Sequence, residues 1–287
     1  MVHLQDKGNI ALEKNWLADT LPAYELSSTD DLWNDRGMRN PDATTHPTSG
    51  PAVTPGPTPV RLGKIRRMAP AMRRQILLER ATAFFAEHGM SAPTRALADA
   101  CGVAQRLLYR YFPSKAGLLG EIYEQAILGP FKAVWLIRLA DRSVSIERRI
   151  GTFYEDYYQT VLSRRWIRLF LFGGLDGGNM APAYIDQIIK QLVEVVVCEA
   201  AHSSGVALPQ TPALRHELGW LLHGAVSHLA IRQHVYDASQ SVPPADILAI
   251  QITAFLHGLP AAAALARIQE ANSAPKPASA FKSSVYD

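Results

Sequence analysis

Cysteine is scarce: Cys101 and Cys198 are the only two, far apart and outside any paired-cysteine motif. That excludes a disulfide framework and a structural zinc site, and it fits a reducing cytoplasm. Catalytic signatures are missing as well. There is no GxSxG elbow, no HExxH, no phosphate-loop lysine and no Cys–His pair with a plausible third partner, so neither an enzyme nor a cofactor is expected. Four histidines fall on one segment, His216, His223, His228 and His234. Their spacings never give an i, i+4 pair, so satisfied polar or interface roles are expected and no metal. No apolar run looks long enough for a membrane span, and no basic-then-apolar signal peptide opens the chain. Strand-like alternation and internal repeats are also lacking.

What the chain does have is apolar content and helical spacing. Hydrophobic residues make up 48 % of its 287, enough for a sizeable core once tails are set aside. The formal charge of +3 conceals an asymmetry. Arg61 to Lys115 holds eleven basic and three acidic residues, a net of +8 that leaves −5 on everything else. A basic module joined to an acidic remainder suits a nucleic-acid-binding head on a separate body, although a solvated basic face gives the same count.

Residues 1–60 do not read as a domain. Short apolar stretches around Trp16 and Trp33 are followed by the Pro/Thr/Gly/Ser-rich run from Pro41 to Pro59. That composition buries too little apolar surface to offset ordering, so a disordered extension and linker are expected. Residues 61–120 form the basic arm and head, 121–271 a larger helical unit, and 272–287 a flexible tail.

The stretch Arg73–Lys115 reads as three short helices. Ile76, Leu77, Ala81, Phe84 and Phe85 make an apolar stripe that His88-Gly89 ends. Thr94 caps a second helix or lies within its first turn, and that helix carries Arg95, Leu97, Ala98 and Cys101. Gly102 supplies the positive backbone angle of a tight turn, and a third helix starts near Gln105. Leu97, Val103 and Leu108 fall on the shared inner side. Gln105, Arg106 and Arg110 fall outside, as side chains suited to phosphates and base edges. A helix-turn-helix that binds DNA is the expectation.

Those residues, and above all the ending Leu107-Leu108-Tyr109-Arg110-Tyr111-Phe112-Pro113-Ser114-Lys115, resemble the DNA-binding domain of the TetR family. The match covers about a sixth of the chain. The resemblance implies an all-α protein in which a three-helix DNA-binding domain precedes a helical ligand-binding and dimerisation domain. It implies a DNA-contacting set of Thr94, Arg95, Gln105, Arg106, Leu107, Tyr109, Arg110, Tyr111 and Lys115, with Tyr109, Tyr111 and Lys115 on phosphates. Partners would be double-stranded operator DNA, a small-molecule effector and a second copy of the chain. Ala104 departs from the family's usual Ser or Thr, while Arg106 adds charge and Leu107 removes a hydroxyl.

Beyond Lys115 the spacing predicts helices over 116–128, 131–140, 145–162, 166–172, 182–201, 212–238 and 244–270. The Gly-rich stretch Gly173–Asn179 reads as a connecting loop. Trp135, Phe153, Tyr157, Trp166, Phe170 and Trp220 are candidate lining for a hydrophobic or aromatic effector, or else ordinary core. The last two helices are apolar on more than one face, as a dimer interface needs. The sequence therefore points to a cytoplasmic, homodimeric, ligand-responsive repressor. The competing reading is a ligand-sensing helical dimer that acts through a protein partner without operator DNA.

Overall fold

Ten helices follow one another in the computed structural model, which describes residues 68–238 and 241–273, and there is no strand among the described residues. The expected N-terminal extension, the linker, most of the basic arm and the C-terminal tail lie outside them. α1 (Pro70–His88) starts on a proline, whose missing N–H is no loss in a first turn. It buries Leu77, Leu78, Ala81 and Phe85 along one face and stops at Gly89, φ 82°.

α2 (Thr94–Cys101) is capped by the extended backbone of Pro93, so Thr94 is its first internal residue and not its cap. The Pro93 carbonyl already accepts from Leu97 N at 3.1 Å. At its far end Gly102 is left-handed, φ 67°; its N–H bonds Asp99 O at 2.9 Å and Val103 N bonds Ala98 O at 3.0 Å. These two bonds make a Schellman motif, which satisfies the last carbonyls and turns the chain into α3 (Gln105–Tyr111). Arg80 of α1 donates to Cys101 O at 2.7 Å and ties the turn to the first helix. Leu97, Ala98, Cys101, Val103 and Leu108 are all buried, as the spacing required.

α4 (Lys115–Ile122) is capped by Ser114, whose Oγ accepts from Gly117 N at 3.0 Å, and it runs on as a π segment, Tyr123–Leu128. The short α5 (Val134–Leu139) and the amphipathic α6 (Ile146–Thr160) follow. α7 (Arg164–Leu175) is longer than expected, because Gly173 and Gly174 continue the helix and the loop shrinks to four residues. Gly173 is buried against Met180, a contact that leaves little room for a Cβ. α8 comprises Met180–Tyr184, a π segment Ile185–Ile189 and Lys190–Ser204. α9 (Pro212–His234) crosses it where a Cβ on Gly219 would lie 2.6 Å from Val193 Cβ, so only glycine permits the approach.

α10 (Pro244–Ser273) corrects the sequence reading in one respect. Its length and mean hydropathy of 1.6 are enough to cross a membrane, where no such run was expected. Its inner stripe, Leu248, Ile252, Phe255, Leu259, Ala263 and Ala266, is nevertheless buried against α6, α8 and α9. Ile250, Leu265 and Ile268 lie on the outer side, exposed.

One buried charge cluster joins α5, α6 and α8. Arg149, 4 % exposed, donates to Glu199 at 2.9 Å and also to the Leu139 carbonyl; Arg142 grips the same carboxylate from the surface at 2.8 Å. The two guanidinium hydrogen bonds hold the Glu199 carboxyl below its usual range against the opposing effect of burial. Removing one member of such a pair strands the other. Arg149→Ala is therefore expected to destabilise the protein by about 3 kcal/mol in denaturant unfolding. An acid effect arises from His223, which burial pushes down to about 4 from its ordinary 6.5. Below pH 6.5 the unfolded chain takes up a proton that the folded chain refuses, so stability is lost as pH falls through that window. The total is roughly 3 kcal/mol, and thermal midpoints of His223→Phe should be flatter than wild type between those values. Half-buried His234 shifts in the same direction.

Candidate nucleic-acid interface and the core behind it

α3 presents Gln105, Arg106 and Arg110 to solvent, and Arg95 of α2 is exposed as well. Tyr109 and Tyr111 are half-buried. The Tyr109 hydroxyl accepts from Gln105 Nε2 at 3.3 Å and the Tyr111 hydroxyl from Arg73 Nη1 at 3.3 Å, so both phenols stand among cations and amides. Arg74 lies over the Phe112 ring at 5.0 Å and pairs with Glu121 of α4. Leu107 is only partly exposed and packs toward the core, which makes it a support for α3 more than a contact. Lys115 is half-buried: Nζ gives one of its protons to Ala92 O at 3.2 Å, and burial lowers its pKa despite the nearby Asp176. Ala104 offers α3 no side-chain cap.

A single face of α7 holds this head. Arg168 donates to Ala86 O at 2.6 Å and Glu87 O at 3.1 Å, satisfying carbonyls in the last turn of α1. One turn on, Phe172 rests against Gly89, 3.5 Å from where a Cβ would be. One turn further, Asp176 Oδ2 accepts from Met90 N at 2.9 Å and Ser91 N at 3.0 Å. The i, i+4, i+8 spacing of these three was visible in the sequence, but nothing there said what the face would meet. Nearby, a cleft of about 350 Å³ lies between α1, α4 and α7. Leu78, Thr82, Ala126 and Trp166 are among its lining residues, together with Gln75 and Gln125 and the Glu79–Arg165 ion pair. Of the six aromatic residues singled out from sequence, only Trp166 reaches it.

The six do come together in the body, as one aromatic network. Trp135, Phe153 and Tyr157 lie within 5.4–5.9 Å of one another. Trp166 stacks on Phe170 at 4.8 Å. Tyr154 and Tyr184, which the sequence reading missed, join these groups. So does His223, expected to be a satisfied polar or interface histidine, but its Nδ1 is buried without a partner among the described residues. Tyr184 meets Trp166 and Phe170 at 5.2 and 5.8 Å and brings its hydroxyl to 3.5 Å from that of Tyr157. His223 sits 5.6 Å from Tyr157 and 5.2 Å from Trp220, and Tyr154 lies 6.1 Å from His223. No group of acidic, cysteine or histidine side chains able to hold a metal occurs among the described residues.

Known proteins resemble the head in sequence and the whole in fold. Residues 77–122 match the model of the bacterial regulatory proteins of the tetR family, a span that runs from α1 to the end of the regular part of α4. No curated protein matches the sequence. Among solved structures, a TetR-like transcriptional regulator from Rhodococcus sp. RHA1 superposes with a TM-score of 0.51 at 18 % identity, covering 67 % of this chain and 97 % of that one. A protein from Pseudomonas aeruginosa PAO1 assigned as a transcriptional regulator gives 0.52 at 20 % identity, over 69 % and 95 %. At such identities these two establish the fold alone. The chain thus carries a head that matches the tetR-family model over residues 77–122, on a helical body that shares the fold of these two proteins.

Proposed function

We propose that the protein is a homodimeric repressor whose operator binding is released by a hydrophobic or aromatic effector, and that it acts in the cytoplasm. The observation that carries the DNA reading is the exposed triad Gln105, Arg106 and Arg110 on a helix held by the Schellman turn at Gly102. Placed in a major groove, these side chains read base edges. Tyr109, Tyr111, Thr94 and Arg95 fix register on phosphates, and Lys115 adds a positive charge from beside the turn it braces.

A second copy suits α9 and α10. Leu221, Ile250, Leu265 and Ile268 are each more than half exposed, and only 28 % of α10's most apolar stretch is buried within one subunit. Pairing these faces removes apolar surface from water and sets two copies of α3 side by side on a pseudo-palindromic site. On this reading residues 61–120 serve DNA and residues 121–271 the effector and the partner subunit.

α7 links effector to operator. Its Trp166 and Phe170 belong to the aromatic network, while its Arg168, Phe172 and Asp176 hold the head. An effector that displaces the network moves α7 and so the spacing of the two heads. The shift is limited to the effector's differential affinity for the two states.

Fluorescence anisotropy against the chain's own upstream DNA and a scrambled duplex, at two salt concentrations, tests the reading; equal, weak binding to both by folded dimer would refute it. Arg106→Ala should reduce the preference for cognate over altered base pairs, with equal losses on both duplexes counting against base readout. Lys115→Ala should weaken all duplexes alike and lower the salt slope by about one. At the head–body joint, Asp176→Ala should speed amide exchange at Met90 and Ser91 and cost about 1–2 kcal/mol of stability.

A further inference from the structure

The aromatic network contains two polar atoms that meet no partner among the described residues. Tyr154 Oη and His223 Nδ1 are both fully buried and unpaired, on α6 and α9 respectively, with ring centroids 6.1 Å apart. Buried polar groups are nearly always satisfied, so two together, on facing helices, ask what completes them. Their surroundings are rings. Phe153 lies 4.8 Å and Tyr157 6.4 Å from Tyr154, and Trp220 lies 5.2 Å from His223. We infer that Tyr154 and His223 form the polar end of the effector site, and that its ligand is an uncharged aromatic molecule bearing a hydroxyl group, of the phenol class. This rests on the effector reading above and gives that site its chemistry.

Charge decides the class. Burial keeps His223 neutral at pH 7 and pushes the Tyr154 phenol well above its ordinary range, so neither group offers a charge. The buried ions among the described residues, Arg149 and Glu199, are already paired with each other. A carboxylate or ammonium brought here would lose its hydration without gaining a counter-ion. A hydroxyl both donates and accepts, and therefore satisfies His223 Nδ1 in either neutral tautomer along with the Tyr154 hydroxyl. An aromatic ring behind that hydroxyl continues the edge-to-face packing of the walls.

The test is calorimetric titration of the full-length protein with phenol, toluene and benzoate, which share a ring and differ in the polar group. Phenol should bind about tenfold more tightly than toluene, the worth of a buried hydrogen bond, and benzoate should give no heat of binding. In Tyr154→Phe the preference for phenol should fall to near parity, while the thermal midpoint of the free protein holds or rises because an unpaired hydroxyl has gone. Parity between phenol and toluene in the wild type, tightest binding by benzoate, or no binding by any probe would overturn the assignment. So would a clear fall in midpoint for Tyr154→Phe without loss of phenol preference, which would mark an internally hydrated structural hydroxyl. Selective phenol binding that leaves operator affinity unchanged would support the site and refute its role in DNA release.

Discussion

Everything the head does depends on how its first helix ends. α1 finishes with carbonyls pointing out of its last turn, and the chain must then reverse through Gly89 to start α2. Arg168 supplies donors to the Ala86 and Glu87 carbonyls, and Asp176 supplies an acceptor for the Met90 and Ser91 amides just beyond. Opposite charges thus sit at the two ends of one turn, each matched to the backbone groups it faces, with Phe172 filling the space between. A three-helix unit of this size has a small core and is marginal alone. These contacts from α7 extend that core into the body and fix the orientation from which α3 projects.

The parts of the fold legible in the sequence were those written in local periodicity and turn chemistry. Gly102, with Leu97, Ala98, Val103 and Leu108 around it, specified the helix-turn-helix because the left-handed residue and the inward stripe are local facts. The body's helices were legible for the same reason, with errors confined to ends. Thr94 was a candidate cap, yet Pro93 takes that place with its fixed extended backbone. Gly173 and Gly174 looked like a loop, and tertiary contact with Met180 and Ala181 overrides their low helix propensity. The apolar length of α10 was underestimated because its residues are shared between an inner stripe and an outer one.

What the sequence could not give was convergence. Arg168, Phe172 and Asp176 are an ordinary amphipathic face until α1 is known to lie against them. Likewise Trp135, Phe153, Tyr157, Trp166, Phe170 and Trp220 were candidates by residue type alone. Tyr184 and His223 are the residues that make them continuous, and neither carries a local signal. Burial and the absence of a partner, which mark Tyr154 and His223, are properties of packed helices and not of spacing.

Continuity has a mechanical consequence. Tyr154 and His223 are borne by α6 and α9, whereas the head is held by α7. One aromatic route from that pair to α7 passes through Tyr157 and Tyr184, beside the direct packing of α9 on α7. The Tyr157 and Tyr184 hydroxyls are 3.5 Å apart, at the outer limit of a hydrogen bond, so the joint is held mainly by the packing of the two buried rings. In the proposed function, a displaced Tyr157 would push on the packed Tyr184 ring, which touches Trp166 and Phe170 of α7. The head, by contrast, is gripped at both ends of its turn by charge-assisted bonds. On that proposal, a small ligand would select between arrangements of the packed body while the head, held by those bonds, would move as a rigid piece.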